Sequence, residues 1–143
     1  MKNENLPEEI NQALEELWLL LEAKERDFTN FQLNNQQYTI LTLIIRHPSS
    51  TPTELAEKMN ITKSAISQQL VKLEMDDYIY RKQHSEDKRT FSVELGKKGL
   101  LYKKEMERFM QQITEKYYAS LSPEELTNFL SALQKLTKVI NEL

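Results

Sequence analysis

Lys63, Ser64, Ser67 and Gln68 crowd into one short stretch, with Thr62 before them and Lys72 after. Lysine and glutamine carry groups that bond base edges, and serines bond bases or phosphates without blocking a close approach. At helical spacing these polar residues share one face, while Ile66, Leu70 and Leu73 share another. Further along, Lys88 and Arg89 stand beside Asp87 in a polar stretch. A cation there suits the negative potential of a narrow minor groove. Other chemistries lack their residues. With no cysteine, a disulfide scaffold, an iron–sulfur cluster, a thiolate zinc site and a cysteine nucleophile or redox switch are all excluded. The two histidines, His47 and His84, read as a helix-end residue and a turn residue rather than metal ligands. There is no nucleophile–base pair, glycine-rich phosphate loop or metal-ligand spacing. The adjacent acids Asp76-Asp77 and Glu86-Asp87 read as solvated turns. No enzyme activity and no cofactor are expected.

The global charge argues at first against a phosphate-bearing partner. The chain has 143 residues, 19 basic and 22 acidic side chains, and a net charge of −3. Its distribution reverses that argument. Residues 1–45 hold three basic and eight acidic side chains, net −5; residues 46–104 hold twelve and eight, net +4; residues 105–143 hold four and six, net −2. A basic centre between acidic ends suits a middle that meets phosphate and ends that meet something else.

The elements that must position these residues read as a series of capped helices with one hairpin. Two glycines and four prolines are too few for a sandwich or barrel of this length. The first helix is expected from about Pro7 to about Asn30, with Ile10, Leu14, Leu17 and Leu21 at helical spacing and Trp18 and Leu20 widening the stripe. At roughly 35 Å it is long for so small a chain. Asn34 and Gln37 form a capping-box variant for a second helix that stops at His47-Pro48. Thr51-Pro52-Thr53-Glu54 opens a third and Thr62 caps a fourth, Lys63 to about Met75. Tyr78–Lys82 and Thr90–Leu95 have the β-branched, aromatic and alternating residues of a hairpin. Gly96 starts a long helix to about Ala119, and Ser122-Pro123-Glu124-Glu125 caps the last, with its stripe from Leu126 to Leu143. Along the long helix, the aromatic residues Tyr102, Phe109, Tyr117 and Tyr118 read as packing. The polar, acidic start is not a signal peptide, and the best apolar run, Ile40–Ile45, is interrupted by Thr42 and far short of a membrane span. The expectation is a soluble, cytoplasmic, mainly α protein with a small β-hairpin wing: a winged helix-turn-helix lobe plus N- and C-terminal helices.

Three stretches, LNNQQYTIL, TPTELAEKMNITKSAISQQLVKLE and DKRTFSVELGKKG, resemble the multiple-antibiotic-resistance regulator (MarR) family of bacterial winged-helix transcription factors. The flanking helices match in length and position, so the resemblance covers nearly the whole chain. It implies an N-terminal dimerisation arm at 1–32, a DNA-binding lobe at 33–98 and C-terminal dimerisation helices at 99–143. It also implies a homodimer on a near-palindromic double-stranded operator, acting as a repressor relieved by a small effector. Lys63, Ser64, Ala65, Ser67, Gln68 and Lys72 would then face the major groove, with Thr62 at the head of that helix. Thr53 would touch phosphate. Arg89 would enter the minor groove beside Lys88, with Asp87 orienting it. Trp18, Tyr38 and His47 are candidates to line a pocket for an aromatic or lipophilic effector, which would act by favouring one spacing of the two lobes. The sequence departs from the family pattern at Asp77, where glycine is usual, and at Gly96, where threonine or serine is usual. A winged helix used as a protein-interaction module is the alternative reading.

Overall fold

In the computed structural model, which describes residues 4–28, 30–84 and 90–143, the helix signals act where they stand. The helices are α1 (Leu6–Phe28), α2 (Asn35–Arg46), α3 (Pro52–Met59), α4 (Lys63–Met75), α5 (Lys97–Lys116) and α6 (Pro123–Asn141). The strands β1 (Ile79–Gln83) and β2 (Phe91–Leu95) lie between α4 and α5. Asn34 and Ser122 form capping boxes with both bonds made, to Gln37 and Glu125. Thr51 and Thr62 accept from the amides of Glu54 and Ala65 at 3.2 and 3.1 Å. Each cap satisfies donors that the first helical turn leaves open.

Helices α2, α3 and α4 close around one apolar core. Ile40, Leu41, Leu55, Ile66 and Val93 are fully buried, and Leu70, Leu73 and Ile79 are nearly so. The strands pair antiparallel, with Ile79 opposite Leu95 and Gln83 opposite Phe91. Alternation turns Val93 into the core, and the Val93 amide also donates to the Ser50 carbonyl at 2.8 Å. That bond ties the loop between α2 and α3 to the hairpin. Helix, turn, helix and hairpin in this order make a winged helix.

The two glycines serve close approach. A Cβ on Gly99 would lie 2.1 Å from the Tyr78 carbonyl oxygen, and one on Gly96 2.7 Å from that of Asp77. The start of α5 can therefore rest against the turn that follows α4. In return the Asp77 carbonyl accepts from the Lys98 amide at 2.9 Å. Asp77 itself has φ 64°, the left-handed conformation that a family glycine would adopt freely. Aspartate bears the backbone cost of this conformation.

The chain divides into two compact units, residues 1–106 and 107–143, with the boundary inside α5. In the first, Leu6, Ile10, Leu14, Leu17, Trp18, Leu19 and Leu20 of α1 are all exposed. In the second, Phe109 and Ile113 are buried, whereas α6 buries nothing and exposes Phe129, Leu130, Leu133, Leu136, Val139 and Ile140. The packing reading of the aromatic residues holds for Tyr102 and Phe109. Tyr117 and Tyr118 stay exposed, because α5 ends at Lys116 and a 3-10 turn, Tyr118–Ser120, takes over where the sequence led us to expect continued helix. Ser122, held extended before Pro123, closes that connection. Among the described residues, no helix is long and apolar enough to cross a membrane.

Candidate nucleic-acid interface

Helix α4 presents two unlike faces. Ile66, Leu70 and Leu73 are buried against the lobe. Lys63, Ser64, Ser67, Gln68 and Lys72 are exposed, and Ala65 is half-buried. The Thr62 hydroxyl accepts from the Ala65 amide, so it is spent on the cap as an acceptor but keeps its own proton to donate. Thr53 is exposed at the start of α3, the first helix of the helix-turn-helix pair. The lobe thus gathers Thr53, Thr62 and the polar face of α4 on exposed helix surface. Asp87, Lys88 and Arg89 lie outside the described residues.

The root of the wing is braced. The Arg81 Nε donates to Glu74 Oε2 at 3.1 Å, and its guanidinium stands 4.8 Å from the Phe91 ring centroid. One side chain of β1 thus joins the end of α4 to β2. Across the hairpin, the buried Ser92 hydroxyl donates to Glu94 Oε1 at 2.9 Å and lies 2.7 Å from His84 Nε2. With the serine proton committed to Glu94, His84 Nε2 is the donor in the second bond. His84 is therefore a wing-root brace and not merely a turn residue. Its amide also donates to the Thr90 carbonyl at 3.3 Å.

The comparisons with known proteins agree with this geometry. The MarR family model matches residues 33–91, the helix-turn-helix and most of the hairpin. The winged lobe belongs to the MarR family. The chain is similar to the HTH-type transcriptional regulator YwhA of Bacillus subtilis (strain 168), with 29% identity over 106 residues, 74% of this chain and 76% of YwhA. It is also similar to the HTH-type transcriptional repressor YetL of the same strain, with 35% identity over 88 residues, 60% of this chain. That match spans about half of YetL, 51% of its length. Among solved structures it is similar to Streptococcus pneumoniae FabT in complex with DNA, at a TM-score of 0.78 and 24% identity over 94% of this chain and 97% of that one. That likeness establishes the shared fold.

Within the MarR-family lobe, the sequence reading missed the residues that brace α4 and the root of the wing. Arg81 to Glu74 and His84 to Ser92 join separate neighbouring elements, so no period within a single element marks them. Gln69 is another, its amide bonded to Gln36 of α2 at 3.0 Å. The only trace in the sequence was an amide residue one position past the exposed face.

The effector candidates are not drawn into one cluster. Tyr38 and His47 stand at opposite ends of α2, about 13 Å apart along its axis. Trp18 is exposed on α1 and donates to Glu22 of its own helix at 3.0 Å. Tyr38 is the candidate with a built surrounding. Its hydroxyl donates to the Phe31 carbonyl at 3.5 Å, and its ring lies 6.1 Å from that of Tyr102. Burial, followed by the nearby Glu25, pushes the Tyr102 hydroxyl above its ordinary range. Glu25 is itself raised above the usual carboxylate value by burial and then by Glu22.

Proposed function

We propose that this MarR-family transcriptional regulator binds a near-palindromic double-stranded DNA operator as a homodimer, in the cytoplasm, and acts as a repressor relieved by a small aromatic or lipophilic effector. The observation that carries the reading is the division of α4 into a buried face, Ile66, Leu70 and Leu73, and an exposed polar face, Lys63, Ser64, Ser67, Gln68 and Lys72. In this reading that face enters the major groove with Ala65 close to the bases. Thr53 and Thr62 bond phosphate, while Arg89, oriented by Asp87 and accompanied by Lys88, reaches the minor groove.

Dimerisation is supported by the apolar faces of α1 and α6, which a lone chain leaves in water. In this account residues 1–32 and 99–143 are the dimerisation segments and 33–98 the DNA-binding lobe. Two lobes must then stand about one helical turn of DNA apart, roughly 34 Å, to read two half-sites. An effector that binds one spacing better than another shifts the population and so the affinity. Tyr38 is the candidate best placed for contact with it, with Trp18 and His47 further out. The related repressor YetL and the DNA complex of the similar FabT support the same reading.

The test is to sequence DNA fragments selected by the purified protein. The expected result is an inverted repeat with half-site centres about 10 base pairs apart. Fragments with no shared sequence would instead favour a winged helix used for protein interaction. Sedimentation at micromolar concentration should show a dimer, and a monomer would remove the two-lobe geometry.

A further inference from the structure

A helix in a groove must be fixed in direction and also in roll about its own axis. The apolar contacts of Ile66, Leu70 and Leu73 hold α4 against the lobe, but such contacts are non-directional. Hydrogen bonds are directional, and α4 makes side-chain bonds of this kind to α2 through Gln69. Gln69 Nε2 donates to Gln36 Oε1 at 3.0 Å. Gln69 Oε1 accepts from Asn34 Nδ2 at 3.4 Å. Both ends of one amide are therefore engaged with α2.

The far side of this clamp is unusually well fixed. Asn34 is the cap of α2, and its Oδ1 accepts from the Gln37 amide at 2.9 Å. Its own amide donates to Gln37 Oε1 at 3.0 Å, and Gln37 is buried. The Asn34 side chain is thus held by its capping role before it meets Gln69. Gln69 is half-buried, about 100° around the helix from the exposed Gln68. One neighbour faces outward while the next is anchored to α2.

We infer that Gln69 is a positioning residue that sets the roll of the recognition helix, and with it the sequence preference of Gln68 and Ser67, through its clamp on Gln36 and Asn34. The inference rests on the DNA-binding reading above. Its size follows from geometry. Side chains reach about 5–6 Å from a helix axis, so a roll of about 10° moves their tips by about 1 Å. Hydrogen bonds to base edges span only about 0.5 Å of distance, so such a shift loses them. Phosphate contacts, which carry most of the affinity but no sequence information, are more forgiving.

The experiment uses the full chain with Gln69→Ala and Gln36→Ala, singly and together, after thermal unfolding confirms that each is folded. Binding is measured on a selected DNA fragment and on an unrelated one, across salt concentrations. Each single variant should lower the ratio of specific to unrelated affinity by about tenfold, with the salt slope and unrelated affinity unchanged. The double variant should cost little more than either alone, because one clamp is broken twice. Gln36→Ala is informative because it leaves α4 untouched. An unchanged ratio in both singles would overturn the inference. So would a uniform loss on both fragments with a slope reduced by about one, which marks a direct phosphate contact. An unsubstituted chain that fails to discriminate the fragments would remove the DNA-binding reading itself, and the inference with it.

Discussion

The winged lobe and the outer helices carry the same kind of apolar stripe to opposite ends. In the lobe the stripes of α2, α3 and α4 meet one another, and Ile40, Leu41, Leu55 and Ile66 are completely buried. On α6 the stripe Phe129, Leu130, Leu133 and Leu136 is as regular, yet no residue of that helix is buried. Helix α1 repeats the pattern, with Trp18 64% exposed. Periodicity dictates that a helix has an apolar face. It does not dictate whether the same chain covers it. The comparison separates a lobe that buries its own stripes from helices whose stripes this chain leaves exposed.

Replacing one leucine from each class tests that separation most strongly. Leu70→Ala, in the closed core, should cost about 2–5 kcal/mol of unfolding free energy by denaturant titration. Leu133→Asp on α6 should leave the lobe folded but raise the dimer dissociation constant by at least about tenfold in sedimentation, equivalent to roughly 1.4 kcal/mol. Equal effects of both on lobe unfolding would erase the distinction.

Gly99→Ala probes the junction between the regions. The new methyl would press on the Tyr78 carbonyl oxygen at 2.1 Å, so a loss of about 1–3 kcal/mol is expected in thermal or chemical unfolding. Asp77→Gly acts in the other direction at the same turn. Relief of a left-handed aspartate should raise stability by about 0.5 kcal/mol, and a lower melting temperature would show that the aspartate side chain contributes more than its backbone costs.

The smallest effect concerns Glu25, near the end of α1. Its carboxyl is raised above the ordinary value in the folded state, so the fold binds that proton more tightly than the unfolded chain does. The associated stability is present below the unfolded pKa, near 4.5, and is lost as pH rises through the higher folded value. Glu25→Gln should therefore raise the melting temperature slightly at pH 7 and not at pH 4. A gain independent of pH would assign the effect to packing.

Much of this architecture was legible in the residues. The caps at Asn34, Thr51, Thr62 and Ser122 placed four helix starts, because a capping side chain acts on amides two or three positions away. The exposed face of α4 was legible for the same local reason. What escaped were side-chain and backbone bonds between separate elements: Gln69 to Gln36, Arg81 to Glu74, and Val93 to the Ser50 carbonyl. Asp77 was marked in the sequence as a departure from a usual glycine, and the structure gives it a left-handed backbone. The approach of Gly99 to Tyr78 was not legible, because only the docking of α5 on the turn that follows α4 creates it.

The central claim is that the polar face of α4 in a basic lobe binds DNA, and salt titration of the purified protein on a selected fragment tests it most directly. A dimer neutralising six or more phosphates should lose at least about a thousandfold in affinity between roughly 50 and 200 mM salt, with log K linear in log salt. An affinity flat across that range would contradict the account.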